Sequence, residues 1–454
     1  MGGPGVPLPP TAPRVVGPDS AADRDHQRLV AAFGGEVRNP AVQRLLAEVT
    51  GRLVAATDRP DESYQVTVLN SPVVNAFALP SGRLYVTRGL LALANDTAEI
   101  AGVLSHEIAH VTLRHASLRS ELEARSKLLT QVTQTVLNNP TEAAVVRDRS
   151  RFSLASFSRS QELEADQAGV KVLARAGYDP FGAPRFLTAL GRSGGGTDQN
   201  RPNLTDMLAT HPSTGERMNL ALQAARRASA PGIGESDRAR YLTAIEGLPY
   251  GDDPADGLIR GRRFAHARLG VAFEAPEGFA LENTAQAVLG STLDGSRRLL
   301  FDAAETPDGQ SLEEVLRTTW NDTIDPGSLE STTVNGLPVA LALSRGKDWS
   351  FRLSAIRIGS TTYRLIMAVK TGSGDLESPF QRTLASVRQV NAEEARSLKP
   401  LRLQMMTAET GDTAEGFASR MAVGDRPLDR FLLLNGLDRA GPLTPGQRYK
   451  VVVE

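Results

Sequence analysis

The stretch "VLSHEIAHVTLRH", positions 103 to 115, holds three of the chain's six histidines, two of them four apart with a glutamate after the first. Residues four apart on an α-helix differ by about 40° in direction, so a helix here sets His106 and His110 on one face, a turn apart. Both imidazoles then reach a single ion at the roughly 2 Å of a Zn–N bond. Glu107 sits beside them, placed to take a proton from a water rather than to bind the ion. The flanking residues support a helix: Asp96 with Glu99 three residues on is an N-terminal cap signal, and the pattern predicts a long helix from there through "RSELEARSKLL". Such a helix must turn its histidine face inward, which needs a sizeable core. The chain has 454 residues, 41% apolar and 23% charged, ordinary globular proportions with room for about two to four domains.

Charge and composition remove several classes of function. Lys+Arg at 51 against Asp+Glu at 52 leaves a net charge of −1, with no basic excess for a phosphate backbone, so no nucleic-acid partner is expected. The absence of cysteine removes disulfides, thiolate zinc fingers and Cys nucleophiles, and is compatible with an oxidising compartment. No apolar run approaches the roughly 18 residues of a bilayer span, so no transmembrane segment is expected. "MGGPGVPLPPTAPR" has neither a basic n-region nor an apolar h-region; residues 1–23 read as a disordered Pro/Gly tail, as in a precursor trimmed of its signal.

The chain divides by period. Residues 24–225 are mainly helical, with "NPAVQRLLAEVTGRLVAA" starting at Asn39-Pro40 and "SQELEADQAGVKVLARAG" stopping at Gly177. "YQVTVLN" and "GRLYVTRG" alternate as strands, with "NAFALPSG" as the turn between them. Residues 226–262, rich in Gly, Pro, Asp and Arg, read as a linker. From 263 to 392 the alternation and the "DG", "NG" and "GS" turns predict an antiparallel α+β accessory domain with helices at "SLEEVLRTTW" and "SPFQRTLASV". Residues 397–454 form a final small unit.

A catalytic zinc needs a third protein ligand and an open position. His115 fails on a straight helix, where it lies about 180° round from His106 and reads as a surface or packing residue. The metzincin pattern also fails, because its glycine and third histidine would fall where the chain has Leu113 and Ala116. Glu162 and Asp166, four apart in "SRSQELEADQAG", share a helix face; one can ligate zinc while the other accepts the free N–H of a ligating imidazole. Glu164 points nearly opposite and reads as solvated. "GRSGG" matches G-x-S-x-G around Ser193, but it follows a helical stretch rather than a strand, so it is no nucleophile elbow.

"HEIAH", "SRSQELEAD" and "THPSTGER", in that order, resemble the soluble envelope branch of the HtpX/CAAX-prenyl-protease family of zinc endopeptidases, over roughly residues 24 to 225. The resemblance implies a mainly α zincin domain of gluzincin type with a small sheet. It makes His106, His110 and Glu162 the Zn2+ ligands, Glu107 the catalytic base and Asp166 the carboxylate that holds a ligating imidazole. It brings His211 near the metal, as an oxyanion stabiliser or as a fourth ligand of a latent enzyme; a loop histidine is the plainer alternative. Arg217 is expected to pair with a nearby carboxylate. It also makes "NAFALPSGRLYVTRGLL" the cleft strand, with extended protein substrates lying along "GRLYVT". The accessory domain is similar to a PsbP-type module. The terminal unit resembles the LysM fold, which implies binding of glycans such as peptidoglycan; a copy that only packs on its neighbours is the alternative. Together these readings give a zinc endopeptidase degrading misfolded or unassembled proteins in a bacterial periplasm or cell envelope. A latent zinc-site chaperone or scaffold and a peptidoglycan-directed hydrolase are the rivals.

Overall fold

The computed structural model describes residues 21–115, 158–194, 207, 211, 215–283, 287–304, 309–320, 324–423 and 426–454. After α1 (Ala21–Ala32), helix α2 (Pro40–Ala55) starts where Asn39 Oδ1 accepts from the amides of Ala41 and Val42 and Pro40 takes the first turn. Its buried residues Val42, Leu45, Leu46, Val49 and Leu53 recur at helical spacing. A small sheet follows, of β1 (Gln65–Leu69), β2 (Ala76–Ala78) and β3 (Arg83–Thr87) in the order β1-β3-β2. β1 and β3 run parallel, and β2 is antiparallel to β3. Two expectations are corrected here. "NAFALPSG" contains a strand, because three residues are too few for an alternation signal to show. "GRLYVT" is the central strand with both edges paired, so the edge falls to β2.

Helices α3 (Arg88–Leu93) and α4 (Thr97–Thr112) come next. Asp96 caps α4 by accepting from the Glu99 amide at 2.8 Å, as the spacing predicts. Every residue of α4 from Thr97 to His110 is buried, so the helix has no wet side. It is packed by α5 (Arg159–Arg175) and α6 (Gly182–Gly194), with α7 (Gly215–Ala228) behind them. Glycines set these approaches: a Cβ at Gly169 would lie 3.1 Å from the His106 amide nitrogen, and one at Gly182 only 2.4 Å from the Ala98 carbonyl carbon. The predicted helix does not run on from Thr112. Arg114 adopts φ +57° and turns the chain aside; the expected continuation past His115 lies outside the described residues.

Residues 258–389 form a sheet-rich part, antiparallel as expected. A four-stranded sheet, β15-β7-β6-β5, joins β5 (Leu258–Arg260), β6 (Arg263–His266), β7 (Val271–Glu274) and β15 (Arg388–Gln389). The larger sheet, β11-β12-β13-β14-β10-β9-β8, contains β8 (Phe279–Asn283), β9 (Ala287–Thr292), β10 (Arg297–Ala304), β11 (Glu330–Val334), β12 (Leu337–Arg345), β13 (Trp349–Ile358) and β14 (Thr361–Lys370). Asn335 (φ +50°) and Gly336 (φ +76°) make the tight "NG" turn between β11 and β12. One face buries Phe273, Phe301, Met367 and Phe380 with α10 (Glu377–Ser386), and the other buries Leu353 and Ile366 with α9 (Leu312–Thr319).

The last stretch does not stand apart. After α11 (Ala392–Ser397) come β16 (Leu401–Thr407), α12 (Ala414–Ala418), α13 (Pro427–Asn435) and β17 (Arg448–Val453). Their residues Leu403, Phe417, Phe431 and Val451 belong to the same hydrophobic cluster as Leu46, Leu90, Ile100 and Leu104. β16 pairs with β17 and also with β4 (Pro249–Tyr250), so the sheet-rich part leaves and re-enters between two paired strands. Fully buried Lys450 donates through Nζ to the carbonyls of Ala92, Leu93 and Ala94 at 2.7, 3.3 and 2.8 Å, at the junction of α3 and α4. The expected linker 226–262 is corrected too. It contains α8 (Arg238–Ile245), whose Tyr241, Leu242 and Ile245 enter that core while Arg240 pairs with Glu48. Its polar composition hid a helix whose charges are spent on contacts. A chain ended at Lys399 is therefore expected to lose the cooperative thermal transition of its N-terminal unit by circular dichroism; a truncated chain that melts like the intact one contradicts the shared core.

Candidate metal centre

The centre is assembled from three elements. α4 supplies His106, Glu107 and His110; α5 supplies Glu162 and Asp166 from its first two turns; and the segment before α7 supplies His211. α5 is positioned by a capping box in which Ser158 and Gln161 satisfy each other's backbone amides. All of these side chains are buried: His106 6% exposed, His110 3%, Glu162 2% and His211 2%.

One donor atom from each of His106, His110, Glu162 and His211 lies within 4.8 Å of the others. His106 Nε2 is 3.0 Å from His110 Nε2 and 3.6 Å from Glu162 Oε2, and His110 Nε2 is 3.4 Å from Glu162 Oε1. His211 Nδ1 lies 2.9 Å from Glu162 Oε1 and 3.3 Å from His106 Nε2. A tetrahedral ion with bonds of about 2.0–2.3 Å needs ligand atoms about 3.3–3.7 Å apart. The separations of 3.3, 3.4 and 3.6 Å meet that and those of 2.9 and 3.0 Å are tighter, and three imidazoles with a carboxylate are donor types that suit a borderline divalent cation. The Glu107 carboxyl is 2% exposed, and its Oε1 has no hydrogen-bond partner among the described residues. That oxygen lies 3.8 Å from His211 Nε2.

Around these atoms runs a second layer of charge. Arg217, 2% exposed, holds Asp166 with two bonds, Nε to Oδ2 at 2.7 Å and Nη2 to Oδ1 at 2.8 Å, and reaches Glu162 Oε2 through Nη1 at 2.7 Å. Asp166 Oδ1 in turn lies 2.9 Å from His106 Nδ1. Burial works to raise both carboxylates, but the polar contacts of Glu162 with the His110 and His211 rings, and of Asp166 with Arg217 and the His106 ring, outweigh it. Glu162 is held far below its ordinary value and Asp166 at about 2. Burial holds His110 down at about 2, a neutral imidazole suited to ligation. At Glu107 burial raises the carboxyl against the pull of His211 and His106, the direction a proton acceptor working near neutral pH requires.

The structure thus brings together all six expected residues, His106, Glu107, His110, Glu162, Asp166 and His211. Glu164 is solvated as expected, its side chain 61% exposed. Ser193 ends helix α6 with its hydroxyl bonded to the Leu190 carbonyl, away from any nucleophile elbow. His115 is neither pointed away nor on the surface: it is 2% exposed with Nδ1 3.0 Å from His110 Nδ1. The signal missing from sequence was the left-handed Arg114.

The buried H-E-x-x-H turn of α4, joined by Glu162 and His211 in a cluster that could hold a metal ion, has the make-up of a metallopeptidase centre. Residues 38–225 match Peptidase family M48, and the chain carries a domain of that family. The chain is 40% identical over 164 residues to the mitochondrial metalloendopeptidase OMA1 of Arabidopsis thaliana, covering 36% of this chain and 32% of that protein. It is 30% identical over 205 residues (43% and 41%) to the beta-barrel assembly-enhancing protease of Yersinia pestis. To the protein of the same name from Escherichia coli K12 it is 27% identical over 223 residues (47% and 44%). The chain spans less than half the length of these curated relatives, from 32% to 44%. No helix among the described residues is long and apolar enough to cross a membrane.

Breaking the buried Arg217–Asp166 pair leaves a guanidinium short of acceptors in a dry site. Asp166→Ala is expected to lower the stability of the metal-free protein by about 3–5 kcal/mol, measured by urea unfolding; a loss under about 1 kcal/mol shows the pair to be loosely solvated.

Proposed function

We propose that this protein is a zinc-dependent endopeptidase that cleaves misfolded or unassembled proteins in a bacterial cell envelope. The observation that carries the reading is the buried Glu107 carboxyl, its Oε1 without a hydrogen-bond partner among the described residues, beside a four-residue donor cluster. His106, His110 and Glu162 would hold the ion, and Asp166, fixed by Arg217, orients His106. Zinc, when bound, supplies a Lewis acid that polarises the scissile carbonyl and lowers the pKa of water towards about 7. Glu107 accepts the proton of the attacking water and returns it to the leaving amine, a task served by the raised affinity for protons that burial gives it. The substrate lies extended beside β2, the edge strand that packs on α4. The envelope assignment draws on the relatives named for enhancing beta-barrel assembly. The strand-helix-helix-strand order of β16, α12, α13 and β17 supports the LysM-like reading of residues 397–454, and glycan binding there is part of the same proposal.

Glu107→Gln is expected to keep about one zinc per chain and to lose casein cleavage by several orders of magnitude. Chelation should abolish wild-type activity and added zinc restore it. Wild-type-like proteolysis by Glu107→Gln sinks the mechanism, and digestion of purified sacculi rather than casein moves the enzyme to the peptidoglycan-hydrolase class.

His211 supports a closed resting state as a second element of this reading, since its Nδ1 lies 3.3 Å from His106 Nε2 and 2.9 Å from Glu162 Oε1. A ligand that must leave before water and substrate enter lowers activity by the closed fraction. His211→Ala is expected to raise proteolysis of a loosely folded substrate. A fall of roughly a hundredfold or more in turnover instead assigns the imidazole to the oxyanion.

A further inference from the structure

We infer that His115 is a positioning residue for His110: a hydrogen-bond chain from Glu164 through His115 sets the tautomer in which His110 meets a metal. The inference rests on the reading of His110 as a ligand. His110 Nε2 faces the cluster, 3.0 Å from His106 Nε2 and 3.4 Å from Glu162 Oε1. Its other nitrogen, Nδ1, faces away and lies 3.0 Å from His115 Nδ1, the two rings meeting edge to face at 73° with centroids 5.0 Å apart. A hydrogen bond between two Nδ1 atoms holds one proton, and ligation decides which ring carries it. To offer the Nε2 lone pair, His110 must carry its proton on Nδ1 and donate it. His115 Nδ1 therefore accepts, which places the His115 proton on Nε2, 3.4 Å from Glu164 Oε2. A carboxylate only accepts, so the chain ends there with one polarity. The reverse polarity would put a proton on His110 Nε2, aimed at His106 and Glu162, and leave no lone pair for a metal.

The backbone is bent to make this contact. On a continuing helix His115 would stand opposite His106; α4 instead ends at Thr112 and Arg114 takes the left-handed conformation at φ +57°, one that a non-glycine residue adopts at a cost. That turn returns His115 beneath His110. Helix α5 then supports both metal-facing histidines of α4 from one side, His106 directly by Asp166 and His110 by Glu164 through the His115 ring. One end of the support is sealed and the other reaches solvent at Glu164.

The test uses the intact chain, stripped of metal and titrated with zinc alone against a chromophoric chelator. His115→Phe keeps the ring volume and removes the acceptor; its zinc dissociation constant is expected to rise about 10–100-fold. His115→Asn, whose amide oxygen takes the place of Nδ1, is expected to recover affinity to within about threefold of wild type. Equal loss in both variants reduces His115 to packing, and unchanged affinity in His115→Phe removes it altogether; either overturns the chain. Should His115→Phe fail to fold, nitrogen-15 NMR of the zinc-loaded wild type decides: the expected spectrum has His115 protonated on Nε2 and His110 on Nδ1, and a proton on His115 Nδ1 overturns the inference. A wild-type chain that binds no zinc sinks the reading of the site and this chain with it, whereas zinc binding with an indifferent His115 sinks this chain alone.

Discussion

The guanidinium of Arg217, wedged between Glu162 and Asp166, is the interaction on which the centre depends. Two carboxylates one turn apart on α5, both sealed from water, would drive each other towards protonation, and a protonated Glu162 is a poor ligand. Arg217 meets both, keeps them charged, and fixes Asp166 where it can hold His106. The cation is itself positioned from α7, which packs against α5. Ligand geometry thus passes from one helix to the next through charge, in a place where charge without partners is expensive.

The helix that presents the histidines reaches this environment by being thin. Gly102, Gly169 and Gly182 lie at its contacts with α5 and α6, where a methyl group would meet backbone at 3.1 Å or less. Close approach is what lets carboxylates on a second helix reach imidazoles on the first, so the glycines are as much part of the centre as the clustered side chains.

What could be read in the sequence was what is local. The four-residue spacing of His106 and His110, the same spacing of Glu162 and Asp166, the Asp96 cap and the Asn335-Gly336 turn each declare themselves within a few residues. Where the reading failed, a distant partner decided. Arg114 takes a left-handed turn that nothing in its neighbouring residues announces. β2 is a strand because β3 offers it an edge. Tyr241 and Leu242 sit in a polar stretch that looks like a connector until the core they fill is known. The same holds for the terminal residues: their pattern describes a small independent unit, and nothing in that pattern reveals that its apolar face is the far wall of another.

Lys450 caps the turn just ahead of the histidine helix from a position 358 residues beyond Ala92 in the chain. That distance has a meaning in time. A ribosome finishes the H-E-x-x-H segment early and does not release β17 until the whole sheet-rich part has followed, and contacts between such remote segments are among the last to close. The growing chain carries His106, Glu107 and His110 long before it has the strand whose Lys450 and Val451 close the core around α3 and α4.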